Sequence, residues 1–352
     1  MKILVIQQKM IGDVLASSII CNTLKNEYPN AQIDYLIYPF TNPVVENNPN
    51  IDNILLFTDK IKNSKIELFK FCSEIRKSQY DIIIDAYGKM ESNIIVALSG
   101  AGIKIGFYKS YTSLIYTNTI KELSVSKTTA GLAIENRMLL LKPLSLKKEL
   151  KNKPEIFLKE SEIANGKQIL INHKIDFSKK IYMIGVLGSG KTKTYPSAYM
   201  AKLLDKIVID TNATLLFNYI PSQLAEAKEI FNLCRPDTQE NIKIDLIPSN
   251  IREFLSVTYH CDALIGNEGG AVNMAKALNK PTFTVFSTWI KKEAWNSFDD
   301  GIKNVSVHLK DFKPELYGSR SAKEMKKEAM NLYQAFTPDL IISTLESYLK
   351  TN

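Results

Sequence analysis

The chain is poor in the residues that build disulfide frameworks and metal centres. Its 352 residues include four cysteines and three histidines, and these are scattered without CxxC spacing or a metal-ligand pattern. No stretch approaches the ~20 apolar residues of a membrane helix. The opening Met1–Ile6 segment predicts a strand rather than a signal peptide. We therefore expect a cytoplasmic protein whose thiols are reduced.

Positive charge exceeds negative charge, and lysine supplies nearly all of it. The formal net charge is +8, and the lysines are spread along the whole chain. This spread favours a solvated, lysine-rich surface. The alternative is attraction to an anionic partner, such as a phosphate-bearing glycolipid or the inner membrane face. Since no basic block interleaved with aromatics occurs, nucleic acid is not an expected partner.

Short apolar strands alternate with helices in both halves of the chain. This alternation predicts an α/β protein with parallel sheets covered on both faces. Strands are predicted in the first half at Lys2–Gln7, Gln32–Ile37, Ile54–Phe57, Asp81–Asp85 and Ile103–Gly106. Strands are predicted in the second half at Tyr182–Val186, Ala213–Asn218, Ile242–Ile247, Ala263–Ile265 and Thr282–Phe286. One long helix is predicted from Ile61 to Ser78.

A stretch rich in Lys, Leu and Pro interrupts this rhythm between Leu141 and Pro154. We therefore expect an N-terminal domain over residues 1–160, a C-terminal domain over 161–335 and a terminal helix over 336–352. Two Rossmann-like domains of this kind are expected to face a cleft, because such sheets bind ligands beyond the carboxyl ends of their strands.

The segment from Asn267 to Phe286 is the most informative one. It predicts a strand, a turn, a helix opened by Gly269 and Gly270, and a second strand. Free amides and the helix dipole favour an anion at such a helix start, and Glu268 places a carboxylate beside it. The pattern suggests a ligand with a phosphate end and a hydroxylated end, as in a nucleotide sugar. The alternative is a glycine pair that only lets helix and sheet pack closely.

A second glycine-rich segment follows the first strand of the second half. Gly185 to Thr192 matches G-x-x-x-x-G-K-[ST], the phosphate-binding loop of nucleotide triphosphatases. However, Pro196 puts the next helix several residues too late. Three interpretations therefore stay open: a triphosphatase loop, a flexible surface loop, and a phosphate-binding turn in which Lys193 or Lys191 neutralises a diphosphate.

Asp13 follows the first strand and opens the first helix. As an N-cap it would accept hydrogen bonds from first-turn amides, and from its position alone this role is favoured. As a general base it would take a proton from a substrate hydroxyl, and both roles can coexist. Three weaker candidates are Trp289, Lys109 and Arg137. Trp289 could line a sugar or lipid contact, but core packing is favoured, and Lys109 could bind an anionic acceptor, but a solvated surface residue is favoured. Arg137 is interpreted as part of an ordinary ion pair.

Four segments, taken together and in order, resemble glycosyltransferase family 9, the ADP-heptose:lipopolysaccharide heptosyltransferases and their relatives. They are Ile11-Gly-Asp-Val-Leu-Ala16, the block from Tyr80 to Phe107, Lys193-Thr-Tyr-Pro196, and the block from Asn267 to Leu278. The resemblance implies a GT-B fold, with the acceptor on the N-terminal domain and the donor on the C-terminal one. It also implies an inverting transfer that uses no metal ion and no cofactor.

The resemblance assigns roles by position. Asp13 would be the general base that deprotonates the acceptor hydroxyl. The remaining roles concern the donor: Lys193 and Ser189 at the diphosphate, Glu268 at the sugar hydroxyls, and the amides of Gly269 and Gly270 at the phosphates. The residues that bind the acceptor are not identified.

The sequence departs from the family pattern at Glu268 (usually Asp), Gly269 (usually Ser or Thr), Asn273 (usually His) and Tyr195 (usually Trp). We expect a cytoplasmic enzyme at the inner membrane that transfers a heptose from ADP-heptose to a lipopolysaccharide-core or related glycan on an anionic glycolipid. The alternatives are a family member with another nucleotide sugar, a two-domain epimerase, and a non-catalytic nucleotide-sugar- or glycan-binding protein.

Overall fold

The computed structural model describes residues 1–318 and 320–352. The chain forms two compact units, Met1–Phe157 and Leu158–Asn352. Each unit contains a six-stranded sheet. Within each sheet every pair of neighbouring strands is parallel. The predicted α/β architecture with two parallel sheets is therefore confirmed.

The first unit carries its sheet in the order β3-β2-β1-β4-β5-β6. The strands are β1 Lys2–Ile6, β2 Gln32–Ile37, β3 Asn53–Leu56, β4 Ile82–Asp85, β5 Ile103–Phe107 and β6 Asn118–Ile120. The helices are α1 Ile11–Glu27, α2 Asp59–Asn63, α3 Lys65–Lys77, α4 Met90–Leu98 and α5 Leu132–Leu139. Short 3₁₀ turns occupy Pro39–Val44, Ser113–Ile115 and Lys142–Leu144.

The central strands of the first unit are buried on both faces. Residues Ile3 to Ile6 of β1 have no exposed surface, as expected for a strand in the middle of a parallel sheet. The prediction of one long helix from Ile61 to Ser78 is wrong, since the helix is interrupted at Ser64 and forms α2 and α3. The Ser64 hydroxyl accepts a hydrogen bond from the amide of Glu67 at 3.3 Å, so it caps α3 as a separate helix.

The second unit carries its sheet in the order β12-β11-β10-β7-β8-β9. The strands are β7 Ile181–Gly185, β8 Thr214–Phe217, β9 Ile242–Lys243, β10 Ala263–Asn267, β11 Thr282–Val285 and β12 Asn304–Val307. The first six helices are α6 Glu160–Asn172, α7 Ser197–Thr211, α8 Leu224–Leu233, α9 Pro236–Asn241, α10 Ile251–Tyr259 and α11 Gly270–Ala277. The remaining helices are α12 Lys292–Trp295, α13 Leu309–Phe312, α14 Ala322–Lys327, α15 Ala329–Ala335 and α16 Ile342–Thr351.

The C-terminal helix α16 packs on the second sheet. Leu345 and Tyr348 of α16 belong to the same buried cluster as Phe283 of β11, and the rings of Phe283 and Tyr348 lie 5.5 Å apart. Among the residues that the structure describes, no helix combines the length and apolar character needed to cross a bilayer.

Each sheet has one point at which the strand order reverses. In the first unit it lies between β1 and β4, and in the second between β7 and β10. Loops that leave such adjacent strands diverge and form a crevice beyond their carboxyl ends, which is where ligands bind in folds of this class. In this chain, α1 follows β1, and the turn into α11 follows β10. The candidate residues therefore lie at the two switch points.

Candidate functional site

The second switch point is built by the loop after β7 and the turn after β10. Asn267, at the end of β10, connects the two. Its side-chain amide donates to the carbonyl oxygens of Gly185 and Val186 at 2.9 and 3.0 Å. Its oxygen accepts from the amide of Tyr195 at 2.7 Å. One buried side chain therefore fixes both ends of the loop between β7 and α7.

The loop itself folds tightly around Gly188. The amide of Gly188 donates to the Thr194 hydroxyl at 3.0 Å, and its carbonyl accepts from the Gln223 side chain at 3.0 Å. A Cβ atom at this position would lie 2.1 Å from the carbonyl oxygen of Lys193. Glycine is therefore required for the turn that brings Lys193 back towards the sheet.

Lys193 and Glu268 lie together at this switch point. The Lys193 Nζ is 3.6 Å from Oε1 of Glu268, and the Glu268 side chain is 10% exposed. The same Oε1 accepts a hydrogen bond from the Ser287 hydroxyl at 2.8 Å. The carboxylate is thus held by one neutral donor and one ammonium, which fixes its direction.

Helix α11 starts directly beside this pair. Gly269 is its N-cap and supplies no side-chain hydrogen bond, so the first-turn amides have no acceptor within the helix. A Cβ atom built on Gly269 would meet nothing within 4 Å. Close packing of helix and sheet therefore does not explain Gly269, and the helix N-terminus is open to an anion.

The first switch point places Asp13 on α1. Asp13 is the third residue of the helix, and Met10 is the N-cap. The favoured N-cap interpretation of Asp13 is therefore wrong: its Oδ2 accepts from the Met10 amide at 3.3 Å, as a residue at the third helical position does in a capping box. This bond leaves the other oxygen for a second partner.

That partner is Arg137 of α5, a residue 124 positions along the chain. Its Nη2 donates to Oδ1 of Asp13 at 2.7 Å. The same guanidinium donates through Nε to the Ser17 hydroxyl at 2.6 Å and through Nη1 to the carbonyl of Ala133 at 2.8 Å. Arg137 is 9% exposed, so the ion pair is fixed by packing as well as by charge.

The sequence of this chain matches one family across most of its length. A model of glycosyltransferase family 9 (heptosyltransferase) matches residues 68–320. The chain belongs to glycosyltransferase family 9. The resemblance noted in the four sequence blocks is thereby confirmed, and the protein is a glycosyltransferase.

Individual relatives of this family 9 glycosyltransferase agree. It is 25% identical over 296 residues to lipopolysaccharide heptosyltransferase 1 of Campylobacter coli, covering 81% of this chain and 84% of that protein. The family 9 glycosyl transferase of Veillonella parvula DSM 2008 superposes with a TM-score of 0.77 at 14% identity, covering 100% of this chain and 97% of that one. The E. coli ADP-heptose lps heptosyltransferase II superposes with a TM-score of 0.66 at 16% identity, covering 95% and 99%. The fold is accordingly an α/β fold of the GT-B type.

The loop of this glycosyltransferase between β7 and α7 is not that of a nucleotide triphosphatase. Residues Lys191–Lys193 form a single 3₁₀ turn, and α7 begins only at Ser197. A triphosphatase loop instead starts its helix at the Lys-Thr pair. Ser189, assigned to the diphosphate by resemblance, is exposed on this loop. Among residues 1–318 and 320–352, no three His, Cys, Asp or Glu side chains form a group that could hold a metal ion.

Trp289 lies beside Lys193, and Lys326 lies against the same tryptophan ring. The Trp289 ring lies 5.6 Å from the Lys193 Nζ, and its indole N–H donates to the carbonyl of Thr192 at 2.9 Å. The Nζ of Lys326 lies 4.9 Å from the same ring. Trp289 therefore packs against the buried core of the second unit, as its core interpretation predicts, and also against the candidate lysine. Lys326 adds a second cation over the same ring.

Asp85, at the carboxyl end of β4, is a structural carboxyl group. It accepts from the amides of Tyr87 and Gly88 at 2.9 and 2.8 Å and from the Tyr116 hydroxyl at 2.8 Å. Complete burial raises the pKa of Asp85, although these hydrogen bonds oppose the shift. Because it has no exposed surface, Asp85 shapes the turn after β4.

One feature of the sequence points to a special role of Arg137. The chain has five arginines against forty lysines. Where lysine is the default cation, an arginine indicates a position that needs a planar, multiply donating group. Arg137 fits this interpretation, since its three nitrogens each donate to a different acceptor.

Proposed function

We propose that this glycosyltransferase transfers a heptose from ADP-heptose to a lipopolysaccharide-core sugar on an anionic glycolipid. The transfer inverts the anomeric carbon and uses no metal ion. The observation that carries the proposal is the cluster of Lys193, Glu268 and the open N-terminus of α11 at the second switch point. An ammonium group and free amides suit a diphosphate, while a carboxylate suits sugar hydroxyls.

The donor chemistry follows from these groups. As the bond between the anomeric carbon and the diphosphate breaks, negative charge grows on the departing ADP. In the proposal, Lys193 and the amides of Gly269 and Gly270 stabilise that charge. The Ser189 hydroxyl donates an additional hydrogen bond to the diphosphate. Groups fixed before the reaction are effective because they need no reorganisation, and each one contributes roughly 10²- to 10³-fold in rate.

Asp13 is proposed as the general base. The acceptor oxygen attacks the anomeric carbon, its proton passes to the Asp13 carboxylate, and the bond to the diphosphate breaks. A single displacement of this kind inverts the configuration. A positioned base contributes roughly 10²- to 10⁴-fold. Arg137 holds Oδ1 at 2.7 Å, whereas Oδ2 makes only a longer bond of 3.3 Å, so Oδ2 is the proposed proton acceptor.

The sugar and the nucleotide are inferred from relatives. The C. coli and E. coli proteins are named as lipopolysaccharide heptosyltransferases, and the name of the E. coli protein specifies ADP-heptose. We place the reaction at the cytoplasmic face of the inner membrane because the proposed acceptor is a glycolipid. Glu268 is one methylene longer than the aspartate usual in the family, so another nucleotide sugar is the second candidate.

A donor screen tests the nucleotide sugar. Thermal unfolding is measured with ADP-heptose and with UDP-, GDP- and dTDP-sugars. A ligand at 100 times its Kd stabilises the folded state by roughly 2.7 kcal/mol, so the true donor gives a clear rise in melting temperature. We expect this rise with ADP-heptose. A rise with UDP-sugars alone would show that the donor assignment is wrong.

Substitution of the base tests the chemistry. Asp13→Asn is expected to bind donor normally and to lose at least about 100-fold in turnover. Asp59→Asn is the matched control, since Asp59 is an exposed first-turn carboxylate of α2 in the same unit. Turnover is expected to persist in a metal chelator. A wild-type protein that binds donors but turns over none would instead support a non-catalytic binding protein.

A further inference from the structure

Three large apolar side chains of the first unit are largely exposed. Leu114, Tyr111 and Met90 are 101%, 77% and 76% exposed. No other large apolar side chain in the described part of the chain is as exposed. Full exposure of such groups is unfavourable in water, and a cluster of them marks an interaction surface rather than random scatter.

Met90 and Tyr111 line a cavity of about 390 Å³. Met90, Ile94 and Ala97 of α4 form one wall, and Tyr111 and Ile115 form the other. Leu114 stands immediately before Ile115 in the Ser113–Ile115 turn. We call these apolar groups, together with the cavity, the apolar patch.

Lysines surround the apolar patch. Lys89 lines the cavity. The Nζ of Lys104 lies 3.5 Å from the carbonyl oxygen of Ala97, and the Nζ of Lys109 donates to the carbonyl of Gly88, another residue of the lining. One carboxylate, Glu91, lies in the first turn of α4. The rim therefore carries a net positive charge around an apolar centre.

We propose that the apolar patch docks on the surface of an anionic phospholipid bilayer. Exposed Leu, Met and Tyr side chains insert into the interfacial layer, where a tyrosine keeps its hydroxyl in water. The lysines then lie among the negatively charged headgroups. This combination of apolar side chains and basic rim is the signature of proteins that lie on a membrane.

The position of the patch gives the docking a purpose, which rests on the proposed function. The patch is built from segments that follow β4 and β5, and α1 with Asp13 follows β1. Because β1, β4 and β5 are parallel neighbours, all these segments leave the same edge of the sheet. Docking would therefore present the edge that carries Asp13 to the sugars of a glycolipid embedded in the bilayer.

Vesicle co-sedimentation of the full-length protein tests the docking without donor or acceptor. Wild-type protein is expected to bind phosphatidylcholine vesicles that contain phosphatidylglycerol, and to bind pure phosphatidylcholine much more weakly. The Met90→Ser/Tyr111→Ser/Leu114→Ser variant should bind at least about tenfold more weakly, because its inserted apolar surface is removed. Replacing Lys89 and Lys104 by glutamine should weaken binding roughly fivefold for each lysine and reduce the preference for phosphatidylglycerol, while Lys109 remains.

A matched control uses exposed apolar side chains that do not line the cavity. Ile66, Phe69 and Val125 are 69%, 60% and 72% exposed, and their triple serine variant is expected to bind vesicles like the wild type. Equal losses in both triple variants would overturn the proposal, because the effect would then be one of general hydrophobicity. Failure of the wild type to sediment with anionic vesicles would overturn it directly. The proposal would also be overturned if light scattering showed a wild-type dimer that is absent from the Met90/Tyr111/Leu114 variant. The patch would then bind a second copy of this chain.

Turnover separates this proposal from the proposed function. On a water-soluble acceptor without acyl chains, the Met90/Tyr111/Leu114 variant should turn over like the wild type, whereas on vesicle-embedded glycolipid it should lose activity in parallel with binding. Vesicle binding by a protein that turns over no acceptor would refute the proposed function and leave the docking intact. Unchanged activity of the variant on embedded acceptor would refute the docking and leave the function intact.

Discussion

Replacing Arg137 by methionine removes the guanidinium that fixes Asp13 and keeps a side chain of similar length. Three hydrogen bonds are lost, to Asp13, Ser17 and Ala133. Breaking a fully buried ion pair costs roughly 3–5 kcal/mol. The Asp13 side chain is 22% exposed and can recover some hydration, so we expect a loss of about 3 kcal/mol in the free energy of unfolding.

This loss is large enough to measure in the first unit. For domains of 150–250 residues, about 1 kcal/mol shifts the melting temperature by roughly 2–4 °C, so the transition of the first unit should fall by about 6–12 °C. Arg137→Lys keeps the charge but cannot make all three hydrogen bonds. Its melting temperature should therefore lie between those of the wild type and Arg137→Met. Arg76→Met removes an exposed arginine of the same unit and should change the free energy by less than about 0.5 kcal/mol.

The kinetic consequence separates positioning from simple destabilisation. Without Arg137, the Asp13 carboxylate can rotate away from the acceptor hydroxyl, so kcat should fall by roughly 100-fold. The KM for the donor should stay unchanged, because the proposed donor residues belong to the second unit. Arg137→Lys should recover part of kcat, and assays are run well below the melting temperature of each variant.

A double-mutant cycle completes the test. Asp13→Asn combined with Arg137→Met should be less destabilised than the sum of the single changes, by about 1–2 kcal/mol, because the two groups contact each other. Additive effects would show that the pair does not act as a unit in solution. The reasoning is refuted if Arg137→Met melts and turns over like the wild type, or if it raises the donor KM while kcat is unchanged.

Three further substitutions probe the second unit. Lys193→Ala should lower kcat by roughly 100-fold, measured as ADP release, while Lys191→Ala, an exposed lysine two residues away, should not. Gly188→Ala forces a Cβ to within 2.1 Å of a carbonyl oxygen, so the shifted loop should lower kcat/KM by about 100-fold, and wild-type kinetics would contradict the tight turn. Burial lowers the pKa of Lys276 from 10.5 to about 8, so the unfolded chain binds more protons between these values and the free energy of unfolding should rise with pH there, by about 3 kcal/mol in total. Urea titrations of Lys276→Met should lack this rise, and an equal rise in the variant would refute it.

Central strands could be predicted from the sequence because their signal is local and strong. The predicted bounds of β2 agree with the structure, and those of β4 differ by one residue. The edge strand β6, Asn118–Ile120, could not be predicted, since three residues without an apolar run carry no periodic pattern. The strand predicted over Ile242–Ile247 is wrong beyond Lys243.

Helix α6 was missed for a different reason. It contains Gly166, which lowers helix propensity and resembles a breaker in the sequence. In the structure, a Cβ on Gly166 would lie 2.4 Å from the carbonyl oxygen of Ser256 on α10. The glycine is therefore there to let two helices approach closely, a requirement set by a segment ninety residues away in the chain.

The candidate site divides in the same way. The turn with Glu268 and the loop with Lys193 could be located from sequence because glycine spacing and the order of elements are local properties. Their distance from each other could not be predicted, and neither could the contact of Lys193 with Trp289. The partner of Asp13 could not be predicted from the sequence either, since Arg137 contacts it only after the α1 and α5 helices have packed.

If the proposed donor binds at the second switch point, the amide side chain of Asn267 has a consequence for its affinity. An aspartate there could accept from Tyr195 but could not donate to Gly185 and Val186, and its negative charge would repel an incoming diphosphate. Because the uncharged Asn267 side chain holds both ends of the loop between β7 and α7, this loop is ordered when the chain folds rather than when the ligand binds. Less of the affinity for the nucleotide sugar is then spent on ordering the protein.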